Sequence, residues 1–262
     1  MALSTPGPIR VMEGHVVAFR RLWRLNVMSS FVQPLLYLLG LGVGVGALVD
    51  RNTGSSDVLG ALPYVAFVAP GLLVTTAMTV CAGESMWPVL GGLRWQRQYH
   101  GIAATPLGAR DIVGGHAVWM ATRAAISATA VSSALALFPA TRSWGLIPAV
   151  AVATLVGVAF AMPTMAVSIG AEFDGVFAAM QRFVLVPLFL FGGAFYPIEQ
   201  LPTVVQWLAQ VAPLWHGVVV ARGFTTGDID LVAAAVHLAY IALWAVVGGL
   251  VAVRRLSTRL CP

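Results

Sequence analysis

The chain has 262 residues, of which 59% are hydrophobic and only 10% charged, and its mean hydropathy is +0.86. A soluble domain carries roughly 25% charged residues, so a soluble protein is excluded and a polytopic membrane protein is expected. All 15 basic residues are arginine, which removes the lysine that a P-loop ATPase needs on its phosphates.

Residues 8–26 come first. Ile9, Met12, Val16, Phe19 and Trp23 recur at helical spacing on one stripe, with Arg20, Arg21 and Arg24 on an adjacent face. A basic helix with aromatics on its apolar side suits the membrane interface, lying in its plane. With arginines at 10, 20, 21 and 24 and no apolar h-region, this start is not expected to be a signal peptide.

A first span is expected at about 28–48, interrupted by Pro34 and carrying glycines at 40, 42, 44 and 46. Gly40 with Gly44, and Gly42 with Gly46, satisfy the close-packing spacing of membrane helices. A polar loop follows at 50–59, then a second span at about 60–82 containing Pro63 and Pro70. Residues 84–110 form the longest cytoplasmic interruption, marked by Arg94, Arg97 and Arg110. Spans at about 112–138 and 144–168 are joined by the turn PATRS. A fifth span runs from near Val176 to the Gly192-Gly193 break, and the last covers about 229–253.

Between them lies the least regular stretch, PLFLFGGAFYPIEQLPTVVQWLAQVAPLWHGVVVARGF, from Pro187 to Phe224. It breaks at Gly192-Gly193, turns at Tyr196-Pro197, and then gives two short segments, each opened by a proline (Pro202, Pro213). Proline is tolerated in the first turn of a helix, where its missing N–H has no partner to lose. Broken backbone at membrane depth requires protein cover or a cavity, so 197–224 is expected to be a re-entrant helical hairpin.

Arginine asymmetry sets the orientation. With the N-terminus inside, arginines 10, 20, 21, 24, 94, 97, 110, 182, 254, 255 and 259 fall on the cytoplasmic side, and only Arg51, Arg142 and Arg222 fall outside. The net charge of +5 then reflects flanks facing anionic lipid rather than nucleic acid. Cys81 and Cys261 both fall inside, where no disulfide is expected. The fold class expected is therefore an all-α membrane protein, with a single domain over 1–262 and the hairpin at the outer face.

The run GGAFYPIEQLP, followed by APLWH and then Arg222, resembles the signature of type-2 ABC exporter permeases, the superfamily of drug-resistance, nodulation-factor and polysaccharide exporters. The segment RWQRQYHGIAATPL at 94–107 is similar to the coupling helix by which such permeases dock on their ATPase. The resemblance implies six transmembrane helices with an N-terminal interfacial helix, a cytoplasmic coupling region at 84–110 and the outer re-entrant hairpin. It assigns ATPase coupling to Arg94, Trp95, Arg97, Tyr99 and His100, with the aromatic residues as rigid anchors. It assigns the outer gate and hairpin to Phe195, Tyr196, Glu199, Leu201 and His216, where Glu199 would receive N–H groups at the start of the first short helix.

The function so implied is the permease subunit of an ATP-driven exporter in the cytoplasmic membrane, with both termini cytoplasmic. Its cargo would be amphipathic or lipid-linked: a drug, glycolipid or polysaccharide. Two such chains, identical or homologous, would enclose the path, and two ATPase subunits would hold the ATP and magnesium, so no cofactor is expected on this chain. Membrane lipid is the remaining partner. An ATP-independent channel or secondary transporter is the alternative, although the spans offer few charged groups for ion coupling. An intramembrane enzyme is disfavoured, because HExxH is absent and Glu172 and Asp174, two residues apart, do not share a helix face.

Charged groups within a span are functional candidates because burying them is costly. Arg123, deep in the third span, is expected to pair with a carboxylate of the same subunit, to meet a substrate head group, or to snorkel to the cytoplasmic face. His116 and His237 are expected to be hydrogen-bonded packing residues. Glu84 is expected to meet the arginines of the N-terminal helix.

Overall fold

The computed structural model describes residues 6–37, 39, 40, 44 and 62–260. Gly42 and Gly46, most of the second half of the expected first span, the 50–59 loop, Arg51 and Cys261 lie outside these residues, as do the side chains of Arg21, Trp23 and Arg24.

Helix α1 is Gly7–Tyr37, which covers both the stretch expected at the interface and the beginning of the expected first span without a break. At 1.5 Å per residue, its 31 residues reach about 46 Å. Val11 is buried, and Met12, Val16 and Phe19 pack against the core, so this middle part of the apolar stripe faces protein, while Ile9 is exposed. Its partner is α5 (Ala109–Leu135). The close approach depends on Gly115, where a Cβ would sit 2.6 Å from that of Val11.

Helix α2 (Tyr64–Glu84) starts after Pro63 and carries Pro70 inside it. After a turn at Ser85 and Met86, the chain stays helical through α3 (Trp87–Leu90) and a π-helical turn, Gly91–Trp95. The second span thus runs straight into the coupling region. A short helix, α4 (Gln98–Ala103), precedes α5.

The centre of the bundle is α6 (Leu146–Gly170), which packs against α2, α5, α9 (Pro213–Thr226) and α10 (Leu231–Leu260). Small residues let it serve so many neighbours. A Cβ at Gly157 would fall 2.8 Å from that of Ala124 on α5 and 3.0 Å from the Cys81 sulfur on α2. On the other side, a Cβ at Gly248 of α10 would fall 2.6 Å from Pro163. Lipid offers no apolar driving force between helices, so such close van der Waals contact is what holds them.

Helix α7 (Gly175–Phe191) contains a π-helical turn at Gln181–Leu185 and leaves Phe183, Val184, Leu190 and Phe191 exposed. It ends at Gly192-Gly193, where Gly193 adopts φ +79°, a left-handed conformation that suits glycine. A 3-10 turn, Ile198–Gln200, leads to α8 (Thr203–Val211), and α8 meets α9 at a bend of 84°. This bent pair, Thr203–Val211 with Pro213–Thr226, occupies most of the stretch 197–224 expected to be a re-entrant hairpin.

Among the described residues, three helical stretches are long and apolar enough to cross a membrane: Tyr64–Trp95, Leu146–Gly170 and Leu231–Leu260. Counting the bent pair as one crossing makes four. Helix α5 has the length but is diluted by Arg110, Asp111, His116, Arg123 and many small polar residues, and α7 is shorter. The described residues thus account for part of the six-span expectation.

One packing point gives a test. A Cβ on Gly71 of α2 would lie 2.6 Å from Cα and 2.7 Å from O of Ala194, just past the break. Gly71→Leu is expected to cost about 3 kcal/mol through overpacking against backbone. Gly83→Ala, which meets nothing within 4 Å, should be neutral or stabilise by up to about 1 kcal/mol. Unfolding in mixed detergent micelles measures both.

Candidate functional site: the coupling region and the outer break

At one end of the bundle, the π-helical turn presents Arg94 and Trp95 outward, and Trp95 is 66% exposed. The next bend is made at Arg97, whose φ of 51° is the one positive value at a non-glycine position among the described residues. An L-residue held there costs roughly 1–2 kcal/mol. The bend turns α4 so that His100 is exposed while Tyr99 points inward, 2% exposed. Tyr99 is therefore not a docking surface, contrary to the expectation from sequence. It anchors α4 from within, and burial pushes its phenol pKa up.

Behind this region lies a cavity of about 600 Å³ between α1, the coupling region and α5, lined by His15, Phe19, Glu84, Trp87, Trp95 and His116 among others. His116 Nε2 lies 2.9 Å from Ser85 Oγ, while its Nδ1 is buried without a hydrogen-bond partner among the described residues. The carbonyl of Ser85 accepts from Ser168 Oγ at 2.7 Å. These bonds tie α5 and α6 to the turn that begins the coupling region.

The ion pair sits just above. Arg123 Nε donates to Glu84 Oε1 at 2.7 Å, and Nη2 lies 2.5 Å from the same oxygen. Its guanidinium carbon is 4.7 Å from the centre of the Phe19 ring. Of the alternatives open for Arg123, the carboxylate of the same subunit is the one realised. Glu84, expected to meet the arginines of α1, pairs with Arg123, and the side chains of Arg21 and Arg24 lie outside the described residues. The two residues, on α2 and α5, join the neighbouring helices on which α1 packs.

At the other end of the bundle, Arg222 of α9 pins the break. Its Nη2 donates to the Gly193 carbonyl at 2.8 Å and its Nε to the Phe67 carbonyl at 3.4 Å, with the guanidinium 3.8 Å from the Phe67 ring centre. Phe195 is buried, 5.0 Å from the Phe189 ring, and Tyr196 is partly buried beside it. Leu201 is partly buried and receives Gln206 Nε2 on its carbonyl at 2.9 Å. Glu199 is exposed, and no side chain caps α8, so the expected capping by its carboxylate is not formed. The reason is local: Pro202 occupies the N-cap, and the 3-10 turn holds Glu199 one step away.

His216 and His237 are brought together. His216 Nε2 donates to the Gln210 carbonyl at 2.8 Å, so its Nδ1 is an acceptor, and His237 Nδ1 donates to it at 2.6 Å. His237 is thus a hydrogen-bonded packing residue, as expected, and His216, expected at the outer gate and hairpin, is its partner. The residues expected to couple to the ATPase and those expected at the outer hairpin thus lie at opposite ends of the bundle. Sequence reasoning named Arg222 only as part of a signature, and missed Glu84 as the partner of Arg123. The signal available was that each is an isolated charge, Glu84 at the end of the apolar α2 and Arg123 within α5.

An all-helical membrane protein with an exposed arginine- and tryptophan-bearing bend at one end of its bundle and a broken helical pair at the other is the class these features define. The family model for the ABC-2 type transporter matches residues 11–224. The chain is 31% identical over 254 residues to Nodulation protein J of Rhizobium meliloti, covering 97% of this chain and 94% of that one. It is 30% identical to Nodulation protein J of Rhizobium leguminosarum bv. viciae over 96% of this chain and 94% of the relative. It is 24% identical to the inner membrane transport permease YadH of Escherichia coli over 81% of this chain and 79% of that one. No solved structure matches. The chain belongs to the ABC-2 type transporter family, whose members are membrane permease subunits and generally work with an ABC ATPase subunit.

Proposed function

We propose that this chain is the membrane-spanning subunit of an ATP-driven exporter, docking a separate ATPase through the coupling region. Its cargo is amphipathic or lipid-linked, leaving past the outer hairpin, and a second permease chain completes the path. The ATPase carries the ATP and magnesium. The observation that carries the reading is the exposed set Arg94, Trp95, Arg97 and His100 at one end of the bundle, braced by the buried Tyr99. A rigid exposed aromatic flanked by arginines is the composition of a protein-docking hot spot. A short, fixed helix continuous with the second span also transmits a partner's movement into the bundle. The name of one relative, an inner membrane transport permease, supports a transport role.

The test is mild detergent purification of the tagged chain, with identification of what comes with it. An ATPase bearing Walker motifs is expected, and Trp95→Ala should reduce its recovery at least about tenfold, as loss of a hot-spot aromatic does, with the permease itself still folded. Tyr99→Ala should instead lower the stability of the permease, because it empties a core position. A chain recovered alone under every mild condition would favour an ATP-independent channel or secondary transporter.

A further inference from the structure

A second cavity, of about 560 Å³, is lined by Leu93, Arg94, Arg97, His100 and Arg259. The arginines come from two segments far apart in the chain: the coupling region and the end of α10, which touches α4. We infer that Arg94, Arg97 and Arg259 form a site for the phosphate head group of an anionic lipid in the membrane leaflet at this end, clamping the coupling region to the last helix. The inference rests on the proposed orientation, with this end cytoplasmic.

Three observations point to an anion. No carboxylate among the described residues pairs with any of the three guanidinium groups. Arg259 makes one long bond, Nη2 to the Gly170 carbonyl at 3.4 Å, which leaves its other N–H groups available. Arg97 is held in the left-handed region, a backbone cost that here directs a charge toward two others of the same sign. Like charges gathered without a counter-ion are stabilised by one supplied from outside, and guanidinium forks match phosphate oxygens two at a time.

Depth points to lipid rather than to a protein carboxylate. The apolar run of α10 ends at Val253, followed by Arg254 and Arg255, and Arg255 turns back to donate to the Ala166 carbonyl at 2.9 Å. Arg259 lies six residues past Val253, about 9 Å along the helix. The head-group layer on each side of a bilayer is about 5–8 Å thick, so the long Arg259 side chain reaches phosphate level. Leu93 supplies an apolar wall beside it. Cytoplasmic leaflets are rich in anionic lipid, and basic pockets between helices on that side are suited to its head groups.

The experiment is native mass spectrometry of the detergent-purified full chain exposed to phosphatidylglycerol or phosphatidylcholine. The expected result is a preference for phosphatidylglycerol of at least about tenfold, consistent with three arginines near a membrane surface. A variant carrying Arg94→Ala, Arg97→Gly and Arg259→Ala should lose it; glycine at 97 keeps the left-handed turn while removing the charge. Arg259→Ala alone should weaken it while the ATPase still co-purifies, which separates this site from partner docking. Arg254→Ala, at the same helix end but outside the cavity, should leave the preference intact. Equal binding of both lipids, or equal loss in Arg254→Ala, overturns the site. Displacement of the lipid by millimolar inorganic phosphate overturns the assignment to a head group in favour of a free anion. Retained lipid preference with loss of the ATPase in Arg259→Ala makes the cavity a protein contact and also overturns it.

Discussion

Glu84→Ala is expected to destabilise the folded chain by about 3–5 kcal/mol, the usual cost of removing one partner from a buried ion pair, and by more than Arg123→Ala. The asymmetry follows from exposure. The Arg123 side chain is 3% exposed and that of Glu84 29%. Removing Glu84 strands a guanidinium with almost no access to water, and its Nη1 already lacks a partner. Removing Arg123 strands a carboxylate that lines the 600 Å³ cavity, where water can reach it. The double replacement Glu84→Leu with Arg123→Met should recover most of the loss, because an apolar pair of similar volume has no desolvation penalty to offset. Unfolding in mixed micelles, run as a double-mutant cycle, measures the coupling. If the two single variants cost the same, access of water to Glu84 is not the deciding factor.

Arg222→Ala is expected to cost about 2.5–5 kcal/mol, combining charged hydrogen bonds worth about 1.5–3 kcal/mol with a cation–π contact worth about 1–2 kcal/mol. The effect is large because Arg222 satisfies the Gly193 carbonyl at the break, which α-helical bonding does not reach, and adds a longer bond to the Phe67 carbonyl within α2. Unsatisfied carbonyls are costly wherever water is excluded. Arg222→Lys should recover less than half, since a point charge cannot span both carbonyls and lie flat on the Phe67 ring. Stability in detergent gives the size of the effect. Labelling of a cysteine placed at Tyr196 by a membrane-impermeant reagent should be faster in Arg222→Ala, and an unchanged rate would mean the break holds without the clamp.

The sequence by itself determined the elements whose causes are local. Low charge and long apolar runs made the chain a membrane protein, because unpaired backbone and charge are excluded from lipid. Gly192-Gly193 placed the break, since one of these residues had to take a left-handed conformation. Pro202 and Pro213 opened α8 and α9, because a proline nitrogen has no bond to lose in a first turn. The continuation of α2 through Trp95 was not legible, because glycine disfavours a helix interior and the turn that carries Gly91 and Gly92 is π-helical.

Only the tertiary structure decided the pairings, which depend on which helix faces cross. An apolar stripe on α1 has the same period whether it meets lipid or Gly115 of α5. Tyr99 and Trp95 are both aromatic residues at the bend, yet the left-handed turn at Arg97 sends one inward and leaves the other exposed. Glu84 finds Arg123, His216 finds His237, and Arg259 reaches Arg94 and Arg97 across wide separations in the chain. Spacing along one helix fixes which residues share a face, whereas the neighbour of that face is set by the close approach of whole helices, and here glycines at 71, 115, 157 and 248 permit it.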